Sequence, residues 1–216
     1  MRNHFENEME RLQMDILKMS SMVEESLLMS VTALKNKDIM SAQKVIDGDE
    51  AIDDKEIMIE DHCLKLIALQ QPLAKDLRII ATALKIITDL ERIADYSSDI
   101  SKITLKVAGE EYVKALVDIP EMAHIAVEMI RLSIDAYINR NVEQAKQAAA
   151  MDDQVDLLQK KIFKDLVEIM VKHPEKVNQA TLFLLVSRYL ERIGDHITNI
   201  CERIVYSETG VRIELN

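Results

Sequence analysis

The sequence predicts an all-α protein built from two tandem, pseudo-symmetric three-helix bundles, and three observations carry that prediction. Turn-forming residues are scarce, with 4 Gly and 3 Pro in 216 residues, where ordinary usage is about 7% and 5%. Apolar residues recur three and four apart over long runs, the spacing of a helix with one buried face. The second half of the chain also repeats the first. Ala42, Asp49 and Asp53 of "LKNKDIMSAQKVIDGDEAID" correspond to Ala145, Asp152 and Asp156 of "YINRNVEQAKQAAAMDDQVD". A repeat at about a hundred residues is the mark of a duplicated structural unit.

The first helix is read from Phe5 to about Leu34, on a stripe of Met9, Leu12, Ile16, Met19, Val23 and Leu27. "KNKD" breaks it, and Asp38 is placed to cap a second helix running to about Gln70. Pro72 opens a third, because proline is tolerated in a first helical turn, and this helix lasts until near Gly109. The segment "AGEEYVKALVD" reads as a linker. Asp118 with Glu121 three residues on approximates a capping box for the fourth helix. "INRN" ends that helix near Asn141, and a fifth runs unbroken from Val142 to about Lys172. After "HPEK" a sixth runs from about Glu175 to near Glu208, where Gly210 closes it. The tail "VRIELN" is expected to be short or frayed. The modules are thus residues 1–109 and 118–216, joined by a linker over 110–117. Helices of about 30 residues, roughly 45 Å long, suit elongated up-down-up bundles.

A net charge of −11 argues against nucleic acid or an anionic membrane as a partner, since both require a positive field. It leaves cations and basic protein surfaces. Two cysteines, Cys63 and Cys201, are too few for a disulfide framework, no run approaches 18 apolar residues, and the N-terminus lacks the apolar core of a signal peptide. These features predict a cytoplasmic protein without membrane insertion. No Gly-rich phosphate loop or nucleophile motif is present, so no catalytic residue is assigned.

The phrase "LERIADYSSDI" begins at Leu90, and "LERIGDHITNI" begins at Leu190. Each places Glu and Asp four apart on one face of its helix, Glu91 with Asp95 and Glu191 with Asp195. Equidistant from Pro72 on the preceding helix stand Asp53 and Asp49, and about Pro174 stand Asp156 and Asp152. Antiparallel helices joined by a short turn bring such residues level with each other. Acids gathered this way repel, and raised pKa values are the cost. Arg92 and Arg192 sit one position from their Glu neighbours, about 100° around the helix, so a multivalent cation compensates better. Hard oxygen donors suit Mg, Ca, Mn or Fe, with Zn less favoured. Asp99 extends the first acidic face where Asn199 extends the second, so the first site should hold metal more firmly. Cys201 reads as a small buried hydrophobe, and His196 as a surface or inter-helix residue.

The tandem "ERI[AG]D" copies, "QPLAKDLR" before the first and "GDHITNICE" in the second resemble the PhoU family of phosphate-specific transport accessory proteins, over essentially the whole chain. The resemblance implies the same pair of three-helix bundles. It implies multinuclear iron or zinc clusters, here on Asp49, Asp53, Glu91 and Asp95, then Asp152, Asp156, Glu191 and Asp195. It further implies regulation rather than catalysis: restraint of high-affinity phosphate uptake and of starvation signalling, through contacts with the phosphate ABC transporter ATPase and a sensor histidine kinase. Ala94, where Gly is commoner, is not expected to disturb ligation. Homodimerisation is left open. Two rival readings stand beside this one. A di-iron carboxylate enzyme needs Glu-x-x-His from two helices, and only Glu121 to His124 has that spacing. A metal-free helical adaptor would use the acids merely for solubility.

Overall fold

The computed structural model describes residues 2–215. Helix accounts for 88% of the structure, and no strand occurs among the described residues. The helices are α1 (Arg2–Asn36), α2 (Ile39–Gln70), α3 (Ala74–Val107), α4 (Asp118–Asn139), α5 (Val142–Ala150), α6 (Asp152–Lys172) and α7 (Val177–Thr209), with a 3₁₀ turn (Pro174–Lys176) before α7. Met1 and Asn216, the outer ends of the predicted modules, lie outside the described residues.

The start and stop signals work through identifiable bonds. Asp38 caps α2, its carboxylate accepting the Ser41 N–H at 3.1 Å and the Ser41 hydroxyl at 2.7 Å. Gly210, at φ 74°, closes α7 by donating its N–H to Tyr206. Because glycine is so scarce, other stops use ordinary residues in the left-handed region: Lys37, Gln71 and Arg140. Pro72 lies in the turn and α3 begins at Ala74, two residues later than expected. Asp118 is the first residue of α4 but does not cap it. Its carboxylate instead receives Lys161 at 2.7 Å and Lys114 at 3.7 Å, an ion-pair role. The tail is not loose either. Leu215 N–H donates to Glu202 at 3.0 Å, and Ile213 and Leu215 rest on the core.

The expected single fifth helix is two. Around Met151 the hydrogen bonds tighten to a three-residue span, Met151 N–H to Ala148 C=O and Gln154 N–H to Met151 C=O. Gly48 holds the equivalent place in α2, which runs through unbroken. The tightened turn accompanies an inward seat for Asp152, only 3% exposed.

Helix neighbours define two layers. α2 touches α3, α3 touches α7 and α7 touches α6, giving a four-helix layer in the order α2, α3, α7, α6. α1 lies against α2 and α3, α4 against α6 and α7, and α1 and α4 touch each other. One face of the four-helix layer is therefore covered and the other is open. α3 and α7 run antiparallel, with Arg78 Nε donating to Ser207 C=O and Thr82 to Arg203 C=O. The buried apolar side chains form one cluster through both modules, from Leu12 and Ile16 to Ile200 and Ile204.

The linker is clamped between the modules. Gln179, 3% exposed, accepts the Val113 N–H at 2.7 Å and donates to Glu110 at 2.8 Å. Tyr112 meets the buried Phe183 ring edge-on at 5.1 Å and donates its hydroxyl to Leu34 C=O.

Candidate functional site

Along α3, Ile86, Leu90 and Ile93 are buried, while Glu91, Asp95 and Asp99 stand four apart and partly exposed, Glu91 within range of the charges of Asp53 and Glu56 on α2. The facing helix supplies Asp49 and Asp53, together with Glu56, which the sequence reading missed. Glu56 accepts a hydrogen bond from Thr88 of α3 at 3.1 Å. Its position mirrors Thr88 about the Pro72 turn, the same signal that located Asp53 opposite Glu91.

The electrostatics are those of crowded acids. Burial, followed by the charge of Asp95, pushes Glu91 up to about 7, with Glu56 and Asp53 adding to the rise and Arg92 opposing it. Burial likewise raises Asp49, against the pull of the Ser98 hydroxyl beside it, and Asp95 and Asp53 reinforce the rise. In the second module burial and then Asp195 raise Glu191, with Asp156 contributing and Arg188 opposing. Desolvation and like-charge repulsion act in the same direction in both motifs.

The acids do not converge as closely as the sequence suggested. Among the described residues, no group of three or more His, Cys, Asp or Glu side chains stands close enough together to hold an ion. Basic side chains serve the acids instead. Arg92 approaches Glu91 at 3.4 Å and Asp95 at 3.0 Å, so its backbone offset from Glu91 is overcome by the length of its side chain. Lys102 covers Asp99 at 2.8 Å, Lys160 meets Asp156 at 3.0 Å, and Arg188 pairs with Glu191. Asp195 and Asn199 are exposed on α7. The donor set is all oxygen and faces across a helix pair, which suits a hard cation in type and register. Gathering the donors on one ion requires Arg92 to release Asp95.

Asp152 departs furthest from its counterpart. Where Asp49 is half-buried beside Ser98, Asp152 folds under α7 into the space that a Cβ on residue 194 would occupy. A side chain on residue 194 would collide with Asp152 Oδ1. Ala94, fully buried, holds the equivalent position in the first module. The glycine-for-alanine difference thus changes where a motif acid sits.

Between the two acidic faces lies the α3–α7 seam. Tyr96 stacks on Tyr189 with centroids 5.5 Å apart. At the symmetry-related place His196 Nδ1 lies 2.8 Å from Asp89. Arg192 donates to the Tyr96 hydroxyl at 3.1 Å. His196 is thus an inter-helix residue, as read, and Cys201 is fully buried.

The model of the PhoU domain matches residues 16–104 and again 119–204, once per module. A "Phosphate-specific transport system accessory protein PhoU homolog" of Clostridium acetobutylicum is 43% identical over 216 residues, covering 100% of this chain and 99% of that protein. The "Phosphate-specific transport system accessory protein PhoU" of Escherichia coli K12 is 31% identical over 206 residues, 95% of this chain and 86% of that one. The crystal structure of PhoU from Pseudomonas aeruginosa has a TM-score of 0.91 at 30% identity, covering 96% of this chain and 100% of its own. That of the phosphate transport system regulatory protein PhoU from Streptococcus pneumoniae scores 0.90 at 29% identity, covering 97% and 99%. With two domain matches, full-length relatives and one shared architecture, the chain belongs to the PhoU family.

Proposed function

We propose that this protein is a cytoplasmic regulator associated with phosphate transport, which restrains high-affinity uptake and starvation signalling through the phosphate transporter's ATPase and a sensor kinase. The observation that carries this reading is the end-to-end match, in sequence and in fold, to proteins named as accessory or regulatory components of phosphate transport. Those names point to regulation and not to catalysis. No described helix is long and apolar enough to cross a membrane. The test is deletion of the gene in its own host. Phosphate-starvation genes should then stay active in phosphate-rich medium, and tagged protein from phosphate-replete cells should retain the ATPase and the kinase. Normal repression in a deletion strain free of a second copy would sink the reading.

The proposal extends to a divalent cation, iron or zinc among the candidates, at each acidic face. Asp49, Asp53, Glu91 and Asp95, with Asp99 alongside, would hold it in the first module. Asp156, Glu191 and Asp195, with Asn199 alongside, would do so in the second, joined by Asp152 if it leaves its seat. The ion would supply the positive charge that offsets the acids. Support comes from the all-oxygen donor set and the raised pKa of Glu91, Asp49 and Glu191. A metal-free adaptor has its own supporting observation, the basic side chains already paired with these acids.

A further inference from the structure

The two modules hold one pair of matching acids in different places. Asp49 is half-buried on the acidic face, where burial raises its pKa and the charges of Asp95 and Asp53 add to the rise. Asp152, its counterpart in the repeat, is 3% exposed and lies under α7 in the room that Gly194 leaves. There its charge reaches a buried thiol. Burial first, with the charges of Glu202 and Asp152 adding to it, pushes Cys201 up to about 12. In the first module Ala94 holds the position of Gly194, and Asp49 stands outside.

Two further observations go with that seat. α2 runs unbroken past Gly48 and Asp49, whereas α5 ends at Ala150 and α6 starts at Asp152. In the second motif, Glu191 Oε2 is buried and has no hydrogen-bond partner among the described residues, while the other oxygen pairs with Arg188. A buried carboxylate oxygen left unmatched is costly. A hard cation is the partner that this all-oxygen donor set suits.

We propose that Asp152 is a gate on the second cation site: seated under α7 it is withheld from Asp156, Glu191 and Asp195, and it joins them as a ligand only by swinging out to the place that Asp49 holds in the first module. The gate rests on the cation reading given above. The buried Thr198 hydroxyl stands at the position of Ser98, the hydroxyl beside Asp49, and so marks where the released carboxylate comes to rest. Leaving the seat also lets the three-residue hydrogen bonds at Met151 relax to the ordinary four-residue span, joining α5 and α6 into one helix like α2. Affinity at the second site is reduced by the share of molecules still seated, and its occupancy is written into the backbone at Met151. The first module has no such gate.

The experiment uses the full-length chain and titrates Fe²⁺ calorimetrically in the absence of oxygen. Glu91→Ala with Asp95→Ala leaves only the second site to be read. Adding Gly194→Ala, which closes the seat, should tighten binding there at least ~tenfold, the factor by which seated molecules outnumber released ones. In the complementary protein, Glu191→Ala with Asp195→Ala, Gly194→Ala should leave the affinity of the first site unchanged. Hydrogen exchange on the wild type needs no variant to fold: once Fe²⁺ is bound, the amides of residues 152–154 should slow by more than those of the matching residues 49–51. Unchanged or weaker binding at the second site in Gly194→Ala, with Fe²⁺ still held by the first, would overturn the gate and leave the cation reading standing. Exchange at 152–154 that ignores a filled second site would do the same. Fe²⁺ held by neither site would overturn both.

Discussion

Where α3 carries Ala94, α7 carries Gly194, and the carboxylate of Asp152 occupies the room that the missing methyl leaves. Gly194→Ala should therefore evict Asp152 from its seat and destabilise the protein by about 1–3 kcal/mol, the usual cost of overpacking. Ala94→Gly, which loosens a helix and removes a fully buried methyl, should cost about 1–2 kcal/mol and leave Asp49 where it is. Chemical denaturation checks the costs, and a Gly194→Ala variant as stable as the wild type would contradict the account of the seat. Glu91 makes a second residue-scale prediction. Burial, and then the charge of Asp95, raise its pKa to about 7, well above the usual carboxylate range. A group raised by folding contributes its full stability below its unfolded value and loses it as pH rises through the folded one. Chelated protein should therefore gain stability as pH falls from about 8 to about 5, by about 1 kcal/mol once solvent screening is allowed for. Asp49 and Glu191, raised for the same first cause, act in the same direction. Glu91→Gln should flatten the curve, and an unchanged slope in that variant would show that Glu91 is not the source.

At the scale of elements, helix ends are where this glycine-poor chain holds strain. Arg140 ends α4 at φ 54°, a conformation that costs an L-residue about 1–2 kcal/mol. Arg140→Gly should raise stability by about 0.5–1 kcal/mol in a urea melt, part of the relief being offset by glycine's looser unfolded state. The linker makes the opposite kind of prediction. Gln179→Ala leaves the Val113 N–H without its acceptor, which should cost about 1–3 kcal/mol and speed hydrogen exchange at Val113; protection equal to wild type would contradict the clamp. The element pattern itself was legible, because apolar periodicity, Asp38, Pro174 and Gly210 are local signals. So was the pairing level of α2 and α3, on which Thr88 bonds Glu56 and Glu91 feels the charge of Asp53, because a short hairpin fixes which residues face each other. Three features were not legible, because each depends on atoms distant in sequence. The break at Met151 accompanies a seat under another helix, the Gln179 clamp joins the linker to the second module, and Arg92 reaches its acids through side-chain length that a helical wheel ignores.

For the whole molecule, duplication has placed two acidic motifs on one open face, with α3 and α7 antiparallel between them and one core beneath. The central claim is that this face holds cations, and metal content tests it most directly. Full-length protein expressed with iron and zinc available should carry metal, more firmly held in the first module. Glu91→Ala with Asp95→Ala should empty that site alone, and Glu191→Ala with Asp195→Ala should empty the other. Bound ion should raise the melting temperature by about 5–10 °C when free metal stands at a hundred times its dissociation constant. Elemental analysis of wild type and both double variants, with melting curves before and after chelation, is the measurement. The account predicts metal in the wild type, loss module by module, and a melting point that falls on chelation. A wild type without metal whose melting ignores the chelator would contradict it.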